Sequence, residues 1–151
     1  MGGFLVAAVD TRAPFKVGKV EAPLVGKGKI SQSRARLDIL GIGVQVVSPD
    51  GGETNLHSHP GMDSAWLVMD GQATFYTGKD RVVAELGRNE FIMIPAGAPY
   101  WFKATGDSPL VVLHLTARNP QVTGSNRIDY EPYRDKPGEI VPGAFFGGFE
   151  S

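Results

Sequence analysis

Three histidines, His57, His59 and His114, and one tyrosine, Tyr100, are the residues of this sequence best suited to chemistry. In a strand, side chains two apart share a face, so the imidazoles of His57 and His59 point the same way and can meet one metal ion. Ser58 between them alternates to the other face and is a poor nucleophile for either. His114 lies in the run Leu110-Val-Val-Leu-His-Leu-Thr-Ala117, apolar enough to be buried. There it alternates with Val112 and Thr116 on one face. Two readings of it stay open, a third imidazole completing a three-histidine site or a core histidine donating to a backbone carbonyl. Tyr100 suits a neutral phenol that donates or accepts a proton, or an iron-binding phenolate. With no cysteine in the chain, thiolate metal sites, disulfides and cysteine nucleophiles are excluded.

The elements that must hold these groups are strands. The 151 residues include 20 Gly and 11 Pro, about one residue in five against a usual ~12%, which disfavours long helices. From about residue 35 to 117, short runs rich in β-branched and aromatic residues alternate with turn clusters, the rhythm of an all-β barrel or sandwich. The runs are 36–47, 55–59, 64–69, 72–77, 81–85, 91–94, 100–104 and 110–117. Met69-Asp70-Gly71-Gln72 is the best hairpin signal. Residues 1–34 read as an extended arm that adds an edge strand, and its basic residues, Lys29 among them, as a solvated edge. Residues 118–151 read as an irregular segment whose aromatics Tyr130, Tyr133, Phe145, Phe146 and Phe149 pack over the barrel or a neighbouring subunit. The chain is one domain and long enough to bury a core without staples.

The segment from Gly51 to Gly71 resembles the first motif of the cupin superfamily, a Gly, five residues, His-x-His, then Glu and a final Gly. Gly51, His57, His59 and Gly71 fall in place. Residues 86–102, LGRNEFIMIPAGAPYWF, resemble the second motif, with Pro95 and Gly97 matching. The resemblance spans about residues 40–117 and implies a small double-stranded β-helix (jelly-roll-like) barrel with a divalent transition metal, Fe, Mn, Ni or Zn. The sequence departs from the family where it carries chemistry. Ser64 stands where the family has its metal-binding Glu, Tyr100 where it has its third His, and Asn89 where the second motif has its Gly. The resemblance therefore transfers two ligands, His57 and His59.

Strand parity outlines a pocket. Ser64 and Trp66 share the lumen face of one strand, Tyr100 and Phe102 that of another, and Gln45 contributes from a third. Such a cavity suits a small organic molecule with a ring or alkyl chain and one or two oxygens. Three functions follow. The first is a metal-dependent enzyme, dioxygenase or isomerase, cyclase or lyase in type, with His57, His59 and His114 as ligands. The second is a metal-free isomerase or cyclase with a His as base, His114 being a catalytic candidate, and Tyr100 as acid. The third is a module that binds without turnover.

Other partners are disfavoured. Fifteen Lys and Arg against 16 Asp and Glu, scattered in sequence, give no footprint for nucleic acid or an anionic membrane. Gly41-Ile-Gly43 and Gly26-Lys-Gly-Lys29 lack the remaining residues of a dinucleotide or P-loop site, so no nucleotide cofactor is expected. The apolar run 4–9 is too short for a signal core or a membrane span. The expectation is a soluble cytoplasmic protein, paired as a homodimer through the N-terminal arm and the aromatic C-terminal segment.

Overall fold

A computed structural model of the chain describes residue 3, residues 6–122 and residues 126–147. Phe149 and the first two residues of the apolar run 4–9 lie outside the described residues. The strands are β1 (Ala22–Lys27), β2 (Lys29–Arg36), β3 (Leu40–Val47), β4 (His57–Ser58), β5 (Met62–Asp70), β6 (Gln72–Tyr76), β7 (Val82–Leu86), β8 (Phe91–Ile94), β9 (Trp101–Thr105), β10 (Leu110–Arg118), β11 (Ile128–Asp129) and β12 (Glu139–Phe146). No helix of the described chain is long and apolar enough to cross a membrane.

Two antiparallel sheets face each other. One has the order β2-β3-β10-β5-β8, and the other is β7-β6-β9. The second sheet is widened by residues 54–58, which run along β9. Thr54 N donates to Phe102 O at 2.9 Å, and His57 and Tyr100 exchange two backbone hydrogen bonds of 3.1 and 2.9 Å. β11 then pairs with β4 on the far side, Ile128 opposite Ser58 and Asp129 opposite His57.

Alternation sorts the side chains as a two-faced sheet requires. Val47, Trp66, Val68, Phe75, Phe102, Leu110 and Val112 point between the sheets and form the main core. Val44, Val46 and Val111 point outward, where β1 and β12 cover them through Ala22, Val25 and Phe146. Residues read as an arm and an irregular tail thus contribute the pair β1–β12 that roofs this outer face. The expected edge strand is β2, and the run 36–47 is broken at residues 37–39, where the chain turns from β2 into β3.

One expectation is corrected. Asp70-Gly71 does not close a hairpin, because β5 and β6 belong to different sheets. It turns a corner between them, and Gly71 (φ 80°) is needed because a Cβ there would sit 2.6 Å from the Pro109 carbonyl oxygen of the crossing loop. Asn89, standing where the second motif has its Gly, adopts φ 71°, a conformation Asn tolerates better than most residues.

Phe75 is fully buried and stacks on Phe102 at a centroid distance of 4.8 Å. Truncation leaves a cavity between two sheets that cannot close over it, so Phe75→Ala is expected to cost about 3–5 kcal/mol of stability. Urea unfolding followed by tryptophan fluorescence measures the loss.

Candidate functional site

The space between the sheets narrows to a cavity of about 160 Å³ lined by all three histidines, by Gln45, Trp66, Tyr100 and Phe102, and by Lys29, Asn55, Arg127, Tyr133 and Asp135. The backbone pairing of His57 with Tyr100 sets their rings 4.5 Å apart, and His59 lies 4.9 Å from His57, edge to face. His57 Nδ1 is 2.7 Å from the Asn55 carbonyl oxygen. A carbonyl only accepts, so Nδ1 carries the proton and Nε2 keeps its lone pair.

β10 brings His114 to the same cavity. Its ring stacks on Trp66 at 3.6 Å, and its Nε2 is 3.2 Å from Ser64 Oγ. Ser64 is buried and makes this bond behind the cavity wall. Two buried polar atoms at the cavity have no hydrogen-bond partner among the described residues, Gln45 Oε1 and Trp66 Nε1. The Trp66 N–H lies near the Tyr100 hydroxyl, close enough to favour its phenolate slightly but too far or oblique for a hydrogen bond.

Burial governs the titration of these groups. Desolvation lowers His57 to about 4 against the pull of the Asn55 carbonyl, lowers His114 to about 3, and lowers His59 as well. It raises Tyr100 to about 12. At neutral pH the lumen therefore holds three neutral imidazoles and a neutral phenol.

Apart from Asn55, the remaining walls come from parts of the chain in which sequence reasoning placed no site residue. Lys29, expected on a solvated edge, has a side chain only 16% exposed and lies 3.7 Å from Asp135. Burial lowers its pKa, with Asp135 opposing the shift. Residues 126–137 strap across the β4 edge, tied down by buried Asn55, whose Nδ2 donates to Asp129 Oδ1 at 2.8 Å and to Glu131 O at 3.0 Å. Ser58, on the opposite face from the histidines, meets the Tyr130 hydroxyl at 3.0 Å beneath the same strap. The aromatics of the tail signalled that it packs. Nothing in the sequence signalled that Arg127 and Asp135 reach the lumen.

These donors fit the metal implied by the resemblance only in part. His57 has a ligand's arrangement, with Nδ1 engaged and Nε2 free. Among the described residues, however, no three His, Asp or Glu side chains converge to hold an ion. The Nε2 of His114 is turned to Ser64 instead. The described residues offer two imidazoles and not a complete ligand set.

A family model described as a cupin domain matches residues 43–116. Solved structures with the same architecture include a Klebsiella pneumoniae protein described as having a double-stranded β-helix domain. It is 20% identical with TM-score 0.60, and the match covers 74% of this chain and 90% of that one. An RmlC-like cupin protein from Desulfovibrio desulfuricans is 21% identical with TM-score 0.52, over 60% of this chain and 82% of that one. The DMSP lyase DddQ from Ruegeria pomeroyi is 19% identical with TM-score 0.55, over 68% of this chain and 52% of that one. At these identities the likeness is one of fold. A search of curated proteins finds no significant match.

The lowered histidines fix a pH dependence. The unfolded chain takes up protons near the usual 6.5, whereas folded His57 and His114 resist them down to about 4 and about 3. Their contribution to stability is complete above 6.5 and is lost as pH falls through that value toward the folded ones, by up to ~1.4 kcal/mol per pH unit for each group. Urea midpoints measured from about pH 7 to about pH 4 are expected to fall steadily, and His114→Gln to flatten the slope.

Proposed function

This chain belongs to the cupin superfamily, and from its lumen we propose that it binds a small oxygenated organic molecule and acts on it by proton transfer, with His57 as base and Tyr100 as acid. One observation carries the reading. An unpartnered buried donor, Trp66 Nε1, and an unpartnered buried acceptor, Gln45 Oε1, line the same cavity as His57 and Tyr100. Unpaired buried polar groups are costly in a folded protein, and a ligand oxygen or hydroxyl would relieve both. The cavity, about 160 Å³, is close to the ~150 Å³ void that holds benzene in another protein, so one ring or a short chain fits.

The chemistry follows from the protonation states. Tyr100, pushed up to about 12, keeps its proton to place on a substrate oxygen, and His57, pushed down to about 4, keeps a free lone pair. Proton removal by His57 Nε2 beside such an oxygen builds negative charge on it. The Tyr100 O–H and Trp66 N–H are the donors available to hold that charge. Isomerisation, cyclisation and β-elimination share this step.

A metal-dependent reading, with Fe, Mn, Ni or Zn resting on His57 and His59, draws on the free Nε2 of His57 and the 4.9 Å ring spacing. Elemental analysis separates the two. Stoichiometric metal lost in His57→Ala favours the second reading, and turnover that survives chelation favours the first.

The test is a screen of small cyclic and oxygenated compounds for exchange of a carbon-bound proton with deuterated water. Tyr100→Phe is expected to lower the exchange rate by about 10²–10⁴ and to leave binding within a few fold. Compounds that bind without exchanging a proton would reduce the protein to a binding module.

A homodimer is proposed on separate grounds. The edge strand β8 exposes Phe91 and Met93, 63% and 71% accessible, and Phe15 and Val17 of the arm are 89% and 96% accessible. Apolar edges of this kind are usually covered. Light scattering on the full chain is expected to give twice the monomer mass, and a monomer at micromolar concentration would overturn the proposal.

A further inference from the structure

Beside the lumen lies a second cavity, of about 330 Å³, lined by His59, Met62, Arg118, Val122, Asn126 and Arg127 together with Gly61. His59 and Arg127 line both cavities, so the two are separated by little more than one layer of side chains. Among the described residues, no carboxylate lines this second cavity. Its two guanidinium groups differ in how they are held.

Arg127 is fixed before any ligand arrives. Its Nε donates to Asp129 Oδ1 at 2.9 Å, its Nη2 donates to Asn55 Oδ1 at 2.9 Å, and its guanidinium carbon lies 4.8 Å from the centre of the Tyr133 ring. Its charge is felt in the lumen, where it opposes protonation of His57 and His59 and favours ionisation of Tyr100. Arg118 stands at the end of β10, exposed, and no carboxylate pairs with it among the described residues. Asp129 offsets the charge of Arg127, which leaves this cavity with the equivalent of one positive charge. A monoanion matches that balance better than a phosphate dianion does, and the planar guanidinium fork fits a carboxylate in particular.

We propose that the second cavity is an anion-binding vestibule and that the molecule taken into the lumen is a small organic acid, its carboxylate held by Arg118 and Arg127 and its body passing His59 to reach Trp66 and Gln45. This deepens the lumen reading and rests on it. The vestibule supplies orientation, since a carboxylate anchored at one end presents the far end of a short molecule to His57 and Tyr100. It also supplies discrimination, because a neutral analogue leaves Arg118 unpaired.

The experiment titrates the full-length ¹⁵N-labelled chain with benzoate, benzamide and inorganic phosphate at constant ionic strength. It follows the Trp66 indole N–H as a reporter of the lumen and the Arg118 and Arg127 Nε–H signals as reporters of the vestibule. Benzoate is expected to move all three with one Kd. Benzamide is expected to move Trp66 alone, at least about tenfold more weakly. Arg118→Gln, a substitution at an exposed side chain, is expected to bring benzoate to within about threefold of benzamide while the Trp66 shift persists. Equal affinity for benzoate and benzamide with still arginine signals overturns the anion proposal and leaves the lumen reading standing. Arginine signals that move while Trp66 does not overturn the lumen reading, and with it the placement of the acid's body. Silence at all three sites overturns both, and phosphate binding tighter than benzoate overturns the carboxylate assignment.

Discussion

Two backbone hydrogen bonds between His57 and Tyr100 hold the site together. They splice residues 54–58 onto β9 and so join the first motif to the second across 43 positions of sequence. With the backbones fixed, the two rings have little choice but to meet at 4.5 Å. β4 also becomes an inner strand, with β9 on one side and β11 on the other, which is why the C-terminal strap can reach the lumen at all. Without this splice, His57 would stand at a sheet edge with its ring in water and an ordinary affinity for protons.

Burial is what turns these side chains from a structural feature into a chemical one. His57, His114 and Tyr100 are each driven toward the neutral form by the same loss of solvent, the imidazoles down and the phenol up. The effects of charge are secondary. Arg127 pushes in the direction burial has already set for His57 and His59, and opposes it for Tyr100. The lumen is thus poised to donate and accept hydrogen bonds without carrying charge, and charge enters only along the wall built by Lys29 and the strap.

The barrel was legible because period-two alternation and turn residues are local signals, and they located the strands that carry Trp66 and Phe102 between the sheets, whereas the face taken by His114, which alternation left open, is settled by the pairing of β10 with β5. The corner at Asp70-Gly71 was misread for an equally local reason. A tight turn between two alternating runs has the same sequence whether the strands pair or part, and only the crossing of Pro109 over Gly71 decides which. Lys29 and Arg127 were illegible because their placement depends on long-range pairing. Lys29 is drawn inward where its backbone N–H donates to Lys136 O, and Arg127 is set by Asn55 and Asp129. Neither partnership has a spacing that a sequence can display.

The two departures at ligand positions, Ser64 and Tyr100, make sense as a pair once His114 is placed beside them. A carboxylate at position 64 would face an imidazole that the lumen keeps neutral, and burying that charge without a metal would be costly. Serine asks for much less, since one hydroxyl at 3.2 Å satisfies His114 Nε2 and needs no counter-ion. Stacking on Trp66 then holds the ring flat against the wall, out of the space a ligand would fill. Tyr100 follows the same logic, replacing a lone pair suited to a metal with an O–H suited to an oxygen. A barrel whose motif positions have exchanged ligands for neutral donors has to draw any charge it needs from elsewhere in the chain. In this protein that charge comes from Lys29 at the start of β2 and from Arg127 in the strap, both held by contacts that the two motifs do not contain.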